Sequence, residues 1–228
     1  EWAARQGAQR LVLWTDTRFE AAHRFYEKRS YVRSGSIRIL DDLSKSLEFR
    51  YAKPLGPLAV EALDAAAAAS AGRRLAEILV ACVNAGASVH FLPPLAPERA
   101  RGFWRQVAAD VALGKRLLLA AWSGGVLVGT VQLDLGTPEN QPHRAELAKL
   151  LVHPDARRRG IGRALMQRAE QAAQRVGRSL LVLDTVAGDA GDALYRSLGW
   201  HEAGRIPGYA LGADRALHDT LYFWKRLG

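Results

Sequence analysis

The sequence predicts an α/β (α+β) fold in which a mixed, mostly antiparallel central sheet is flanked by helices. Three observations predict it. Hairpin-linked strands in the middle of the chain give way to a β-α-β unit later on. Apolar residues recur at helical spacing between the strand runs. A strand-helix-strand pattern near the N-terminus returns close to the C-terminus, so one supersecondary unit is used twice.

Composition supports a packed core. The 228 residues are 49% hydrophobic and 24% charged, which argues against a disordered or collagen-like chain. Ala65–Ala69 is typical of the short apolar runs, and none approaches the ~18 residues of a membrane span. The formal net charge of +9 raises the question of an anionic partner. The arginines are scattered among Ala and Gly rather than gathered in a basic arm, so no nucleic-acid partner is expected. Cys82 is the sole cysteine, which excludes an intrachain disulfide and a cysteine zinc site and suits a reducing, cytoplasmic setting.

Along the chain, Glu1-Trp2-Ala3-Ala4-Arg5 has no leader-like pattern and reads as a helix entered midway. Residues 7–15, GAQRLVLWT, align with 177–185, GRSLLVLDT, and FYEKRSYVRSG at 25–35 aligns with LYRSLGWHEAG at 194–204. Each copy reads as a helix end, a buried strand (11–14; 180–183), a short helix carrying a Tyr, then an aromatic-initiated strand. Lys53-Pro54-Leu55-Gly56-Pro57 interrupts any regular element and divides residues 1–54 from 55–228.

The second region begins with a strand at 58–63 and helices at 72–85 and 97–113, with Pro97 in the first turn of the latter. Strands at 116–122 and 126–135 meet at Ser123-Gly124-Gly125, a hairpin signal. A strand at 145–152, a helix at 160–176 and a strand at 180–183 form the β-α-β unit. A helix at 190–198 and strands at 200–206 and 217–225 complete the region.

The segment ELAKLLVHPDARRRGIGRALMQRAEQAA, residues 146–173, is the most informative. A strand ends at Val152, His153-Pro154-Asp155 turn the chain, and glycines open a long amphipathic helix. Arg157-x-x-Gly160-x-Gly162 lets backbone N–H groups approach an anion, and the helix N-terminus adds its positive dipole. The spacing is neither G-x-G-x-x-G nor a P-loop. It resembles the acetyl-CoA-binding motif of the GNAT N-acetyltransferase superfamily, Arg/Gln-x-x-Gly-x-Gly/Ala, and the element order agrees from about residue 58 to 227.

That resemblance implies the GNAT acyl-CoA N-acyltransferase fold and acetyl-CoA as co-substrate. The amides of Arg157, Arg158, Arg159, Gly160, Ile161, Gly162 and Arg163 would hold the pyrophosphate. The backbone of Leu150, Leu151 and Val152 would meet the pantetheine and acetyl groups. Tyr195 would be the general acid that protonates the departing thiolate, and Glu146 the general base for the acceptor amine.

A closer likeness to the tabtoxin-resistance-like branch rests on GASVHFLPPL (86–95), TVQL (130–133), PENQPHRAELAKLLVHP (138–154), LLVLDT (180–185) and GRIPGYAL (204–211). Members of that branch acetylate an amine on a small amino-acid-like toxin. The polar loop with Glu139, Asn140, Gln141, His143 and Arg144 stands just before the acetyl-binding strand, where it could line an acceptor pocket. Asp184, at the end of the next strand, could counter a substrate ammonium. His143 and His153 have no companion at metal spacing, so no metal is expected.

Two departures qualify the resemblance. Gly188 stands where relatives often carry Asn. No glycine motif precedes Tyr26, and Arg29-Ser30-Tyr31 replaces the usual Leu-Gly-aromatic turn, so residues 1–54 resemble the C-terminal half of a second GNAT domain without a cofactor site. This half is either a fragment of a tandem protein or a retained packing module, and its edge strands should pair with something. The reading is an N-acetyltransferase acting directly on a small-molecule primary amine. The alternative is an acyl-CoA-binding or sensing module with the half-domain as interaction surface. Many relatives pair through edge strands, so a homodimer is compatible with either.

Overall fold

The structure, a computed structural model, describes residues 2–41 and 43–228. Glu1, the first residue of the expected N-terminal helix entry, lies outside the described residues. The chain opens with helix α1 (Trp2–Arg5), strand β1 (Arg10–Asp16), helix α2 (Glu20–Glu27), the short strands β2 (Val32–Arg33) and β3 (Arg38–Ile39), and β4 (Leu47–Pro54). These strands form a sheet of their own in the order β1-β4-β2, with β3 also on β4.

After the Leu55–Leu58 break come β5 (Ala59–Leu63), helix α3 (Ala65–Asn84) and helix α4 (Pro97–Ala112). The expected helix at 72–85 therefore starts seven residues earlier. The Asp64 carboxylate accepts the Ala67 N–H at 2.8 Å as an N-cap, and the alanine run behind it has the highest helix propensity of any residue.

A seven-stranded sheet follows from β5 with β6 (Arg116–Ser123), β7 (Val126–Asp134), β8 (Arg144–Val152), β9 (Leu180–Val186), β10 (His201–Leu211) and β11 (Leu217–Arg226). Helices α5 (Ile161–Arg175) and α6 (Ala190–Ser197) lie between β8 and β10. The order is β10-β11-β9-β8-β7-β6-β5, and every pairing is antiparallel except β8 with β9. This is the mixed, mostly antiparallel sheet flanked by helices that the pattern predicts. Its alternating residues feed two cores. Leu118, Ala120 and Trp122 pack with α3 and α4, whereas Leu119, Ala121, Val131 and Leu133 pack with α5.

The N-terminal sheet docks against the α3 side. Val32 joins the α3–α4 core, and the Trp122 indole N–H donates to the Ser30 carbonyl at 3.1 Å. The Arg33 N–H donates to the Ser70 hydroxyl at 2.8 Å, and Arg10 pairs with Glu61. Within the unit, β1 pairs antiparallel with β4 from Arg10–Pro54 to Asp16–Glu48, and β2 joins the far side of β4. Strands β9, β11 and β10 have the same relation, from Leu180–Arg226 to Val186–Thr220.

Candidate active site

The site originates in the one parallel pair. Strands β8 and β9 are matched at Arg144–Leu180, Ala145–Leu181 and Glu146–Val182, and beyond these three pairs they diverge. The backbone of β8 from Leu147 onward keeps its β7 partner on one side and faces a cleft of about 570 Å³ on the other. That volume is in the range of small-molecule sites.

A bulge sharpens the opening. Thr130 is opposite Leu151 and Gln132 is opposite Ala148, so Lys149 and Leu150 together face Val131. Lys149 takes φ of 52° there. The extra residue reverses the faces of the strand: Leu147 packs in the α5 core, while Leu151 packs in the α3–α4 core. Gly129 makes room beside this irregularity, since a Cβ at that position would lie 2.8 Å from the Leu151 carbonyl oxygen.

At the end of β8 a short 3-10 turn, Pro154–Ala156, leads to the glycine motif. Gly160 is the N-cap of α5 at φ of 76°, no side chain caps the helix, and open space surrounds the position of a Cβ. Only a residue at ease in the left-handed region can put the first helical amides at the cleft wall in this way. Gly160, Ile161, Gly162, Arg158 and Arg163 all line the cleft, so a diphosphate fits this helix end.

Two of the expected contacts differ. The Arg157 amide donates to the Pro154 carbonyl at 3.2 Å, so it closes the turn and the available amides begin after it. Arg159 is exposed and lies outside the cleft lining. Leu150, Leu151 and Val152 line the cleft as expected, and the Val152 carbonyl already accepts the Cys82 thiol and the Arg157 Nε–H, both at 3.3 Å. The Arg157 bond is long, whereas 3.3 Å is an ordinary distance for a thiol donor. Cys82 is buried on α3, and burial, the largest influence, raises its thiol pKa, which does not suit a nucleophile.

Tyr195 reaches the cleft from α6. It is 6% exposed and its ring packs against Trp200 and Phe223. Burial, reinforced by Asp189 and Asp184, pushes its phenol well above the usual tyrosine value, so it is protonated at neutral pH. Helix α6 is capped by Asp189, whose carboxylate accepts the Asp192 N–H at 2.8 Å. Asp184 is therefore free of the capping role that its position at a strand end would otherwise suggest.

Glu146 and Asp184 come together across the sheet. Glu146 is opposite Val182, Asp184 is two residues further along β9, and Tyr222 is opposite Asp184, which puts the three side chains on one face. Their neighbours Ala145, Leu147, Leu181 and Leu183 point to the α5 core on the other face. Donor cradle and acceptor groups thus approach the gap from opposite sides of the sheet.

The loop before β8 is placed elsewhere. Asn140, Gln141, His143 and Arg144 do not line the cleft. The His143 carbonyl accepts the Ser179 and Leu180 N–H groups, Arg144 donates to the Gln141 side chain at 2.8 Å, and the Arg178 guanidinium binds the Pro142, Arg144 and Leu135 carbonyls. This loop anchors the start of β9. Its backbone carbonyls do the anchoring while Glu139, Asn140 and His143 stay exposed, a placement that sequence polarity alone does not reveal.

In its place the structure brings in His90, from the segment after α3, Lys149 and Tyr209, with Tyr222 bonded behind Tyr209. The Lys149 ammonium is 3.0 Å from His90 Nδ1, and the Tyr222 hydroxyl donates to the Tyr209 hydroxyl at 2.9 Å. A signal for Lys149 does exist in the sequence. Strict alternation would put Leu147, Lys149 and Leu151 on one face, and a lysine between two core leucines marks a break in register.

Among the described residues there is no group of three or more His, Cys, Asp and Glu side chains that could hold a metal ion, and no helix long and apolar enough to cross a membrane. The structure resembles that of yncA from Salmonella typhimurium with its cofactor acetyl-CoA, at 20% identity and TM-score 0.62, over 76% of this chain and 95% of that one. It resembles a ribosomal-protein-alanine N-acetyltransferase from Brucella melitensis at 23% identity and TM-score 0.60, over 74% of this chain and 99% of that one. A GCN5-related N-acetyltransferase from Kribbella flavida matches at 22% identity and TM-score 0.63, over 75% and 98%. These likenesses establish the fold. The profile of the Acetyltransferase (GNAT) family matches residues 87–200, a stretch that holds the bulged strand, the Gly160 cap and Tyr195. The chain belongs to the GNAT family of acetyl-CoA-dependent acetyltransferases.

Proposed function

We propose that this protein moves an acetyl group from acetyl-CoA directly to a primary amine of a small, amino-acid-like molecule, as in the tabtoxin-resistance-like branch. The observation that carries this reading is the divergence of β8 from β9. It leaves strand backbone, an uncapped helix N-terminus, one buried tyrosine and the carboxylates of Glu146 and Asp184 around a single cleft.

In this reading the amides of Arg158, Gly160, Ile161, Gly162 and Arg163, leading into and opening α5, hold the diphosphate, and β8 aligns the thioester. Glu146 accepts the proton of the acceptor ammonium, directly or through water, and Asp184 holds the ammonium beforehand by charge. The amine nitrogen then bonds to the acetyl carbon, the carbon–sulfur bond breaks, and Tyr195 gives its proton to the departing thiolate, while the second proton that the nitrogen loses as the amide forms restores the Tyr195 phenol. Burial keeps that proton on Tyr195 until the sulfur needs it. A volume of about 570 Å³ shared between donor and acceptor supports a small acceptor.

For the remainder of the chain, the reading takes 55–228 as the complete transferase domain and 1–54 as the C-terminal half of a second GNAT-like domain. The shared strand order of the two units supports this. No acetyl-CoA site is assigned to the first unit. Calorimetry with acetyl-CoA, followed by thiol release with a panel of amines, tests the proposal. One site per chain and turnover of a small amine are expected; two sites would overturn the assignment of 1–54. Binding without turnover of any amine would describe an acyl-CoA-binding module instead.

A further inference from the structure

Lys149 and His90 meet at 3.0 Å although they are 59 positions apart in the chain. Both take the left-handed backbone region, at φ of 52° and 67°, which is uncommon for residues other than glycine. Such a conformation persists only where the surroundings impose it, so two in contact point to a function.

Their chemistry defines that function. The Lys149 charge, followed by burial, lowers the His90 pKa, so the imidazole is neutral and its Nδ1 accepts a Lys149 N–H. The His90 proton is thereby assigned to Nε2. The pair presents the remaining ammonium N–H groups and the Nε2–H, all donors and no acceptor. Burial is the largest influence on Lys149, and among the described residues no carboxylate lies within the 4 Å of an ion pair with it. Glu146 and Asp184 are close enough to act on both groups electrostatically, yet they do not pair with them. The acceptor side of the cleft therefore has a cationic donor cluster and a separate anionic one.

We infer that Lys149 and His90 form the recognition element for a carboxylate on the acceptor, so that the substrate is an amine carrying that carboxylate on the same small molecule, as an α-amino acid does. The ammonium is drawn to Glu146 and Asp184 and the carboxylate to Lys149, which fixes the amine in one orientation. This rests on the acetyltransferase reading of the cleft and makes Lys149 a specificity residue within it.

The test offers the full chain acetyl-CoA and matched pairs of acceptors, the second of each pair lacking any carboxylate: lysine and cadaverine, tyrosine and tyramine, phenylalanine and phenethylamine. The carboxylated member of at least one pair should have a kcat/KM at least tenfold higher. Lys149→Met keeps the length of the side chain and should collapse that ratio toward one, mainly through KM, and Lys149→Arg should recover part of it. Equal or better use of the decarboxylated member throughout, a preference that survives in Lys149→Met, or acetylation of none by a chain that binds acetyl-CoA would each overturn the inference. Failure to bind acetyl-CoA at all would instead overturn the underlying reading, which separates the two.

Discussion

The molecule contains one supersecondary unit in two settings. In residues 10–54 and again in 180–226 a strand, a short helix and further strands fold so that the last strand lies between the first and those in the middle, which are one strand (β10) in the second copy and two short ones (β2 and β3) in the first. The second copy has β8 beside its first strand, and the gap between those strands is the cleft. The first copy has no strand on the outer side of β1 among the described residues. Tyr195 is buried among Trp200 and Phe223, whereas Tyr26 is half-buried in a cluster with Phe25, Tyr31 and Tyr51. Half of the exposed large apolar side chains, among them Val12, Ile39 and Leu47, fall in the first 54 residues. The same local pattern therefore dictates the same topology twice, and the neighbouring strand decides whether the topology becomes a site.

The sharpest way to break this comparison is to remove the two tyrosine hydroxyls in turn. Tyr195→Phe should lower kcat by ~10²- to 10⁴-fold, the usual worth of a positioned acid, with acetyl-CoA affinity little changed. Tyr26→Phe should leave turnover alone. Equal losses would mean that the two units are not functionally distinct.

Gly160→Ala tests the cradle that only the second unit adjoins. A side chain at φ of 76° costs ~1–2 kcal/mol, and twisting the helix entry to relieve it moves the amides. Calorimetry should show acetyl-CoA binding weakened by about tenfold or more, with a small drop in melting temperature.

Docking of the first unit gives smaller effects. Trp122→Phe removes the donor to the Ser30 carbonyl and should cost ~1–3 kcal/mol, seen as faster hydrogen exchange around residues 30–33. Acetyl-CoA affinity should not follow. Ser70→Ala removes the acceptor of the Arg33 N–H and should cost ~1 kcal/mol by denaturant unfolding.

High pH should treat the two units alike. Burial raises the phenol pKa of Tyr51 in the first and Tyr195 in the second. Above pH ~10 the unfolded chain releases protons that the folded one retains, so stability, full below that pH, should fall as pH rises. Neutral-pH stability owes nothing to this effect. A melting temperature unchanged from pH 9 to 11 would contradict it.

Much of the fold was legible because its signals are local. The Gly124-Gly125 hairpin, the Pro97 helix start and the Gly160-x-Gly162 entry each express a backbone requirement within a few residues. The start of α3 was missed at the alanine run, where neutral composition hid a helix that Asp64 begins. The acceptor side was the least legible. The 140–144 loop has the polarity of a pocket, yet it lies away from the cleft and its carbonyls hold β9 and Arg178, and Lys149 sits inside an apparently buried strand.

The sequence by itself determined the strand and helix order from residue 58 onward, the repeated pattern and the glycine-opened start of α5, because each depends on residue types at short spacing. Only the tertiary structure decided that β8 leaves β9 after Glu146, that a bulge turns Lys149 to the α3–α4 face, and that His90 comes to meet it. These are contacts between elements far apart in the chain. Their geometry follows from how the helices pack on both faces of one sheet, a balance that no short stretch of residues contains.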